Sequence, residues 1–269
     1  MTISNDEKKI FLQVLKKSPL RIGKNTVFTL MPVQSTHRIY TFEAENKTYV
    51  IKKFIEESFT QLNRPAIFNA QKDLASQGFA PIPVWIDCAN GVWIEEYVSS
   101  QNVVLKPAQN QSLLGAVLAE LHTIKIDTKL ILHIDLPAQW QHYLEHLSHS
   151  EQAKWQQVIK QGIDDYNRLF DAEPRVLCHN DLSLGHILSH DPLIVVDWEY
   201  LAWGNRYFDI ASAISINQIP LKQAHQVIES YAEKLGRSAQ EVFNCVQAMK
   251  LCTQITNGLW YEAKNALPL

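Results

Sequence analysis

Glycine is scarce in this sequence, which contains nine glycines among 269 residues and no two of them adjacent. The patterns G-x-G-x-x-G, G-x-x-x-x-G-K and G-x-S-x-G do not occur. Each of these patterns needs glycine at fixed positions, where the backbone approaches a phosphate or exposes a nucleophile. Their absence excludes Rossmann dinucleotide-binding proteins, P-loop nucleoside triphosphatases and hydrolases with a nucleophile elbow.

Long apolar runs and an excess of one charge are also missing. No stretch of 18 consecutive apolar residues occurs, so the sequence predicts no membrane-spanning helix. A formal net charge of −3 favours neither nucleic acid nor an anionic membrane as a partner. The four cysteines form no C-x-x-C pair and the first residues lack an apolar secretion signal, so we expect reduced thiols and a cytoplasmic location.

The chain divides into a strand-rich part and a helix-rich part. Ser4 and Glu7 have the spacing of a capping box at the start of a helix, and a second helix is predicted over residues 58–77. After Tyr97 helical periodicity dominates, and the polar stretch 99–102 predicts the boundary. The strands are predicted from five short segments rich in β-branched and aromatic residues, which are VFTLMPV, HRIYTFEA, KTYVIKKF, PVWIDC and GVWIEEYV. Two of the later helices are predicted over residues 221–235 and 239–263.

Two aspartates flank a predicted hairpin in the second part. Asp181 follows a His-Asn pair on a polar loop, and Asp197 follows an apolar run after a turn at Asp191-Pro192. The ends of a hairpin lie together, so we expect both carboxylates in one small volume. Two carboxylates repel unless a cation or proton lies between them, and Mg²⁺ prefers carboxylates together with phosphate oxygens. This pattern indicates phosphoryl transfer, with a turn or helix-cap role as the alternative for either aspartate.

The residues around these aspartates resemble a known family. The motif HND at His179–Asp181, followed by VVDWEY at Val195–Tyr200, is similar to the H-x-D…D-x-E signature of the aminoglycoside phosphotransferase and choline kinase superfamily. Within it, the chain looks most like bacterial choline kinase- and thiamine kinase-like proteins. The resemblance implies an α+β, two-lobed, protein-kinase-like fold. Residues 1–98 would form a small antiparallel nucleotide-binding lobe with a hinge at about 95–98, and residues 99–269 a helical lobe for catalysis and acceptor binding.

The resemblance also implies a role for each matching residue. Asp181 would be the catalytic aspartate, and Asp197 with His186 would hold Mg²⁺, for which Mn²⁺ is the alternative. ATP would donate its γ-phosphoryl group to a small cationic alcohol such as choline, ethanolamine, thiamine or an aminoglycoside. His179 and Asp209 would support the catalytic loop. The residues implied to bind nucleotide are Lys52, Ser35, Thr36, Glu95 and Tyr97, and those implied to bind the acceptor are Glu199, Trp203, Trp260 and Glu262.

Some of these assignments have open alternatives. Strand alternation places Lys52 and Lys53 on opposite faces, so either lysine is a candidate for the phosphates. Glu95 fits a solvated charge at a strand end, and Asp209 fits a helix N-cap. Packing in a core is the alternative role for the tryptophans. Beside carboxylates, however, aromatic faces suit a cationic alcohol through cation–π contacts.

Three features depart from the family pattern. His186 stands where the family usually has asparagine, and its imidazole suits Zn²⁺ or Mn²⁺ better than Mg²⁺. The alternatives for His186 are a phosphate contact, a different metal, an empty metal site or a hydrogen bond within the loop. The segment MPVQSTHRIY, expected over the phosphates, has no glycine, although Ser35, Thr36 and His37 offer side-chain donors. Residues 58–77 contain no glutamate, so we expect Lys52 to lack an ion-pair partner unless Asp73 substitutes. A weakly active or inactive nucleotide-binding protein is therefore the alternative function, with a metal-dependent phosphoesterase as a third hypothesis.

Overall fold

The strand-rich part of the chain folds into one antiparallel sheet with two helices. A computed structural model of the 269-residue chain describes residues 3–23, 26–32, 37–54, 59–100, 106–127, 129, 131–170 and 174–267. The strands follow the order β1-β2-β3-β5-β4 across the sheet. The elements of this part are α1 (Asn5–Lys17), β1 (Thr29–Leu30), β2 (Arg38–Ala44), β3 (Lys47–Lys53), α2 (Arg64–Ser76), β4 (Pro83–Asp87) and β5 (Val92–Glu96).

Helix α1 covers one face of this sheet. It begins after the N-cap Ser4, whose hydroxyl accepts the Glu7 amide at 3.2 Å, as in the predicted capping box. The Glu7 carboxylate, however, accepts the Ser4 hydroxyl at 3.1 Å, where a capping box would have it accept the Ser4 amide. Phe11 and Val14 are fully buried on its inner side, among residues of β2, β3 and β5. The first core of the protein therefore lies between α1 and the sheet, on the side away from the helical part.

Helix α2 covers part of the opposite face. Its predicted start at residue 58 is too early, because the helix begins at Arg64 after Asn63, whose side chain accepts the Ala66 amide at 3.1 Å. Ile67 and Phe68 pack against Trp93 of β5. Lys52 lies on this face because it pairs with Trp93 in the β3–β5 ladder, and cross-strand partners point to the same side.

The second part is mainly helical and encloses the larger core. That core collects buried apolar residues from all of its helices, with Trp140 and Trp198 among the largest side chains. Among the described residues, no helix is both long enough and apolar enough to cross a membrane. The helices are α3 (Pro107–Leu121), α4 (Leu136–Glu145), α5 (His149–Phe170), α6 (Arg206–Ile216), α7 (His225–Leu235), α8 (Ala239–Ala248) and α9 (Lys250–Ala266). The strands are β6 (Val176–Cys178), β7 (Ile187–His190), β8 (Leu193–Val195) and β9 (Ala202–Gly204).

Two predicted elements of this part have clear outcomes. The predicted hairpin is present, since β7 and β8 pair antiparallel around the turn at Asp191–Pro192. The single helix predicted over 239–263 is instead two helices that meet at Met249. Both helices pack on α6, and the break allows α8 to pack on α7 as well while α9 packs on α4 and α5. Residues 101–105, next to the predicted boundary at 99–102, lie outside the described residues.

Candidate active site

Two cavities adjoin between the sheet and the helical part. The first is a cleft of about 720 Å³, lined by Lys52 and Glu95 from the sheet and by His186 and Asp197 from the hairpin region. The second cavity has a volume of about 440 Å³ and lies between the start of α2 and helices α6 and α9. The side chains of Asp181 and Glu199 line both cavities. Both predicted aspartates, Asp181 and Asp197, therefore face the same cleft.

The loop that carries Asp181 is fixed by the buried carboxylate of Asp209. This carboxylate accepts the amide of His179 at 3.0 Å and the amide of Asn180 at 2.7 Å. The Nε2 atom of His122 donates to it at 3.0 Å. Asp209 lies within the first turn of α6, whose N-cap is Asn205, so the N-cap alternative for Asp209 is wrong.

His179 connects the same loop to the end of the hairpin. Its fully buried ring donates from Nε2 to the carbonyl of Val196 at 3.0 Å, and Nδ1 accepts the amide of Asp181 at 3.3 Å. Burial, together with the nearby ring of His186, lowers the pKa of His179 to about 4. A neutral ring is the form that matches these two hydrogen bonds, because one nitrogen donates and the other accepts.

Asp181 and Asp197 have pKa values that are shifted in opposite directions. Burial and the negative charges of Asp197 and Glu199 raise the pKa of Asp181 to about 8. For Asp197, burial is the largest single effect and also acts upward, but Lys52 together with the nearby His186, His37 and His179 outweighs it and lowers the pKa to about 2. Asp197 is therefore ionised at neutral pH, and an added cation in the cleft would favour ionisation of Asp181.

His186 and Asp197 fit a divalent cation. The His186 ring is hydrogen-bonded within its loop, where Nδ1 lies 2.9 Å from the carbonyl oxygen of Asp181 and 3.4 Å from the amide of Ser183. A carbonyl can only accept, so the shorter contact assigns the hydrogen to Nδ1. Burial lowers the pKa of His186, which favours the neutral ring and leaves a lone pair on Nε2. That lone pair faces an Asp197 oxygen at 3.6 Å, so two acceptors lie side by side. The carboxylate oxygen suits Mg²⁺ or Mn²⁺, whereas the softer imidazole nitrogen favours Mn²⁺ over Mg²⁺.

Lys52, and not Lys53, reaches the cleft. Its ammonium group lies 3.2 Å from the Glu95 carboxylate and 3.4 Å from that of Asp197, whereas Lys53 donates to the Asn90 carbonyl at 2.8 Å. Burial alone would lower the pKa of Lys52, but the charges of Glu95 and Asp197 raise it above its ordinary value. The expectation that Lys52 lacks an ion-pair partner is therefore wrong, because β5 supplies the acid that α2 lacks.

The other residues expected near the nucleotide are placed as follows. Glu95 is buried, so its alternative role as a solvated charge is wrong. Tyr97 lines the cleft, and its amide already donates to the carbonyl of Thr48 at 3.1 Å. Ser35 and Thr36 lie outside the described residues. Asp73 accepts the amide of Asp127 at 3.3 Å instead of substituting for the missing glutamate.

Glu199 is bound from the strand-rich part of the chain. One of its oxygens lies 2.8 Å from His37 Nε2 and 3.5 Å from Arg64 Nη1. The Arg64 guanidinium also lies over the ring of Phe54, 3.5 Å from its centroid. Sequence reasoning missed Arg64. Its position as the first residue of α2 is a usable signal, because a helix start disfavours a cation unless an acid compensates.

The 440 Å³ cavity combines aromatic walls with two carboxylates. Trp260, Tyr261, Tyr200 and Tyr143 line it, and the Trp260 indole donates to the Tyr200 hydroxyl at 2.9 Å. Among the described residues that line this cavity, none is lysine or arginine. The cavity therefore accommodates an apolar or cationic group better than an anion.

Two predicted acceptor residues do not reach this cavity. Trp203 lies on β9 opposite Leu177, and its side chain is buried outside both cavities. Glu262 accepts the Trp155 indole at 2.8 Å. Two residues along an α-helix correspond to a rotation of about 200°, so Glu262 lies on the far side of α9 from Trp260. Trp203 and Glu262, both implied to bind the acceptor, therefore lie outside the two cavities.

Comparison with known proteins gives a consistent result. A model of the phosphotransferase enzyme family, APH, matches residues 30–242. Protein LicA of Haemophilus influenzae is 27% identical over 188 residues, covering 65% of this chain and 69% of LicA. The Plasmodium vivax ethanolamine kinase superposes with a TM-score of 0.76 at 18% identity, covering 98% of this chain and 84% of that one.

Two further solved structures are similar. Choline kinase LicA from Streptococcus pneumoniae has a TM-score of 0.72 at 16% identity, covering 97% of this chain and 92% of that one. The gentamicin complex of APH(2")-IIa has a TM-score of 0.68 at 15% identity, covering 98% and 93% of the two chains. These likenesses confirm the predicted α+β, two-lobed, kinase-like fold.

Proposed function

Because the chain belongs to the phosphotransferase enzyme family whose model matches residues 30–242, we propose that it transfers the γ-phosphoryl group of ATP to the hydroxyl of a small cationic alcohol. The observation that carries this proposal is the position of Asp181, which lines both the 720 Å³ cleft and the 440 Å³ cavity. A carboxylate at the junction of two cavities can act on a group that passes from one ligand to the other.

ATP would occupy the larger cleft. Ile39 and Val50 line it from the sheet, and Leu188 and Val196 from the hairpin, which provides apolar surfaces on both sides of a flat base. Lys52 supplies a positive charge deeper in the cleft for the phosphates. On this proposal residues 1–98 form the nucleotide-binding lobe with a hinge at about 95–98, and residues 99–269 form the catalytic and acceptor lobe.

Asp197 and His186 would hold the divalent cation, Mg²⁺ or Mn²⁺. The bound cation would offset the negative charge of the phosphate oxygens. Lys52 beside Asp197 keeps that carboxylate ionised and ready to bind a cation. The carbonyl of Asp181 orients the His186 ring through Nδ1, so that Nε2 faces the cleft.

Asp181 would act on the acceptor alcohol. Its carboxylate orients the hydroxyl and takes the proton as the alcohol oxygen forms a bond to the γ-phosphorus. The bond from that phosphorus to the bridging oxygen breaks, and ADP leaves with the electron pair. Asp209 fixes the backbone on the amino-terminal side of Asp181, which keeps the carboxylate at the junction of the cavities.

The acceptor class follows from the lining of the smaller cavity. Aromatic faces near Asp181, with no lysine or arginine among the described lining residues, suit a positively charged group. The relatives named choline kinase and ethanolamine kinase support an amino alcohol. Thiamine and aminoglycosides also combine a cationic group with a hydroxyl, so they belong in the same class of candidate acceptors.

An ADP-release screen tests this function directly. Choline, ethanolamine, thiamine and aminoglycosides are each supplied with ATP and either Mg²⁺ or Mn²⁺, and ³¹P NMR identifies the phosphorylated product. We expect ADP release that requires both an alcohol and a divalent cation. Nucleotide binding without alcohol-dependent ADP release under any of these conditions would contradict the proposal and support a binding protein.

Substitution of Asp181 by asparagine tests its role. Asp181→Asn should lower kcat by about 10²–10⁴-fold, because the amide cannot accept the hydroxyl proton. The dissociation constant for ADP, measured by calorimetry, should stay within about twofold, since Asp181 lies at the acceptor end of the cleft. Asp191→Asn is the matched control, because Asp191 is exposed in the hairpin turn and should retain full activity. Full activity of Asp181→Asn would refute the assignment.

A further inference from the structure

The acid that positions Lys52 lies on a strand rather than on a helix. We infer that Glu95 is the positioning residue for Lys52, holding its ammonium group at the phosphate end of the cleft in place of a helix glutamate. The inference rests on the proposed function, in which Lys52 contacts the nucleotide phosphates. Glu95 lines the same 720 Å³ cleft as Lys52, and both residues are buried.

Strand register brings the two side chains together. Lys52 pairs with Trp93 and Val50 pairs with Glu95 in the antiparallel β3–β5 ladder, so all four side chains share one face. Lys52 and Glu95 are diagonal neighbours on that face, a separation that a long side chain can span. Their charged atoms lie 3.2 Å apart, which closes the ion pair within a single sheet.

The second oxygen of Glu95 is held by two donors. The Trp93 indole donates to this oxygen at 2.9 Å, and the side-chain amide of Gln71 donates to it at 2.9 Å as well. The same Gln71 side chain also donates to the Pro81 carbonyl at 3.1 Å. Gln71 follows Ile67 by four residues on α2, so it lies on the same inner side of the helix. One oxygen is therefore anchored to the small lobe while the other remains available for Lys52. A buried carboxylate with all these partners has little freedom to rotate.

The second acid near Lys52 provides a less constant anchor. Asp197 lies at the end of β8 in the helical lobe, so its distance from Lys52 depends on how the two lobes are arranged. Glu95 and Lys52 belong to adjacent strands, so their distance does not depend on that arrangement. Because Asp197 would also hold the divalent cation, Glu95 is the acid that stays with Lys52 throughout the reaction.

Comparing ADP with adenosine isolates this role. Both ligands share the base and ribose, but only ADP has phosphates for Lys52 to contact. Glu95→Gln should reduce the preference for ADP over adenosine by about tenfold, with the adenosine dissociation constant within about twofold of wild type. Calorimetry measures both constants and does not depend on turnover. A general distortion of the cleft would instead weaken both ligands equally.

A double-mutant cycle shows whether Glu95 acts through Lys52. Lys52→Met alone should remove the preference for ADP over adenosine. Adding Glu95→Gln to this variant should not lower the preference further, because Lys52, through which Glu95 acts, is already absent. The double variant leaves no unpaired buried lysine, so it keeps the test valid if Glu95→Gln alone fails to fold. Glu43→Gln is the control, since this exposed carboxylate of the same sheet accepts the Thr48 hydroxyl and should leave the preference unchanged.

The outcomes separate the inference from the proposed function. Three results would each overturn the role of Glu95. They are an unchanged ADP preference in Glu95→Gln, an equal loss of affinity for adenosine and ADP in that variant, and a further loss of ADP preference when Glu95→Gln is added to Lys52→Met. A wild-type protein that prefers ADP but transfers no phosphoryl group to any alcohol would overturn the proposed function alone. A wild-type protein that binds ADP no better than adenosine would overturn the role of Lys52, and that of Glu95 with it.

Discussion

At the scale of single residues, His122 supports Asp209, which in turn fixes the loop that carries Asp181. Its Nε2 donates to Asp209, and its Nδ1 accepts the hydroxyl of Tyr231 at 2.8 Å. The ring is buried, and burial, with a smaller contribution from Arg206, lowers its pKa although Asp209 acts in the opposite direction. Protonation would place a hydrogen on Nδ1, and the ring could then no longer accept the hydrogen bond from the Tyr231 hydroxyl. The neutral ring is therefore the form that the fold requires.

This arrangement predicts a pH dependence of stability. The unfolded chain binds a proton at His122 near pH 6.5, whereas the folded protein does not until a lower pH. The free energy of unfolding should therefore fall as the pH decreases below 6.5, by at most ~1.4 kcal/mol per pH unit from this residue. Urea unfolding at pH 7.5, 6.5 and 5.5 measures the slope. His122→Gln should be less stable at pH 7.5 and should show a shallower loss below pH 6.5.

A matched variant tests whether the slope belongs to His122. His190 is exposed on the hairpin, so His190→Gln should retain the wild-type slope. Equal slopes for wild type and His122→Gln would show that the buried ring is not the source. The comparison matters because burial also lowers the pKa of His179 and His186, so only the difference between variants is specific to His122.

Sequence reasoning at this scale succeeds where contacts are local. Asp181 and Asp197 can be expected near one another because a short hairpin separates them, and both side chains do line one cleft. The Lys52–Glu95 pair cannot be read in the same way. It depends on the register between β3 and β5, which are separated along the chain by α2 and β4. The Arg64–Glu199 contact joins residues even further apart, and only the tertiary fold brings them together.

At the scale of elements, hydrophobic periodicity predicts helices better than it predicts their breaks. The pattern over residues 239–263 continues through Met249, because α8 and α9 each bury one face and both faces are apolar. The packing partners change at that residue, and nothing local in the sequence marks the change. The resemblance places Trp260 and Glu262 near the acceptor together, but the rotation of α9, which its packing on α4, α5 and α6 sets, directs only Trp260 toward the 440 Å³ cavity.

The two faces of α9 predict different effects of substitution. Trp260→Leu should raise the KM for the acceptor about tenfold, because the aromatic wall and its hydrogen bond to Tyr200 are lost. The KM for ATP should change less than about twofold, since Trp260 does not line the larger cleft. Glu262→Gln should leave both KM values within about twofold, because a glutamine oxygen still accepts the Trp155 indole. A large effect of Glu262→Gln on the acceptor KM would contradict the orientation of α9.

At the scale of the whole molecule, two acids of the helical lobe each bind a cation of the small lobe. Asp197 contacts Lys52, and Glu199, two residues later, contacts Arg64 and His37. These side chains are largely shielded from water, so salt screens them less than surface pairs. The contacts join the lobes beside the junction of the two cavities, and so they help to set the relative positions of these cavities.

Removing the charge of Arg64 should therefore loosen the connection between the lobes. Arg64→Gln leaves Glu199 with one cationic partner fewer in a site where its side chain is only 11% exposed. The stacking of the guanidinium on Phe54 is lost as well. We expect the Tm to fall by about 2–6 °C.

Arg168→Gln is the control, because Arg168 is exposed on α5 and its pair with Asp165 should contribute less than about 1 °C. Differential scanning calorimetry decides the question, and equal Tm values for the two variants would show that the Glu199 contacts do not hold the lobes together.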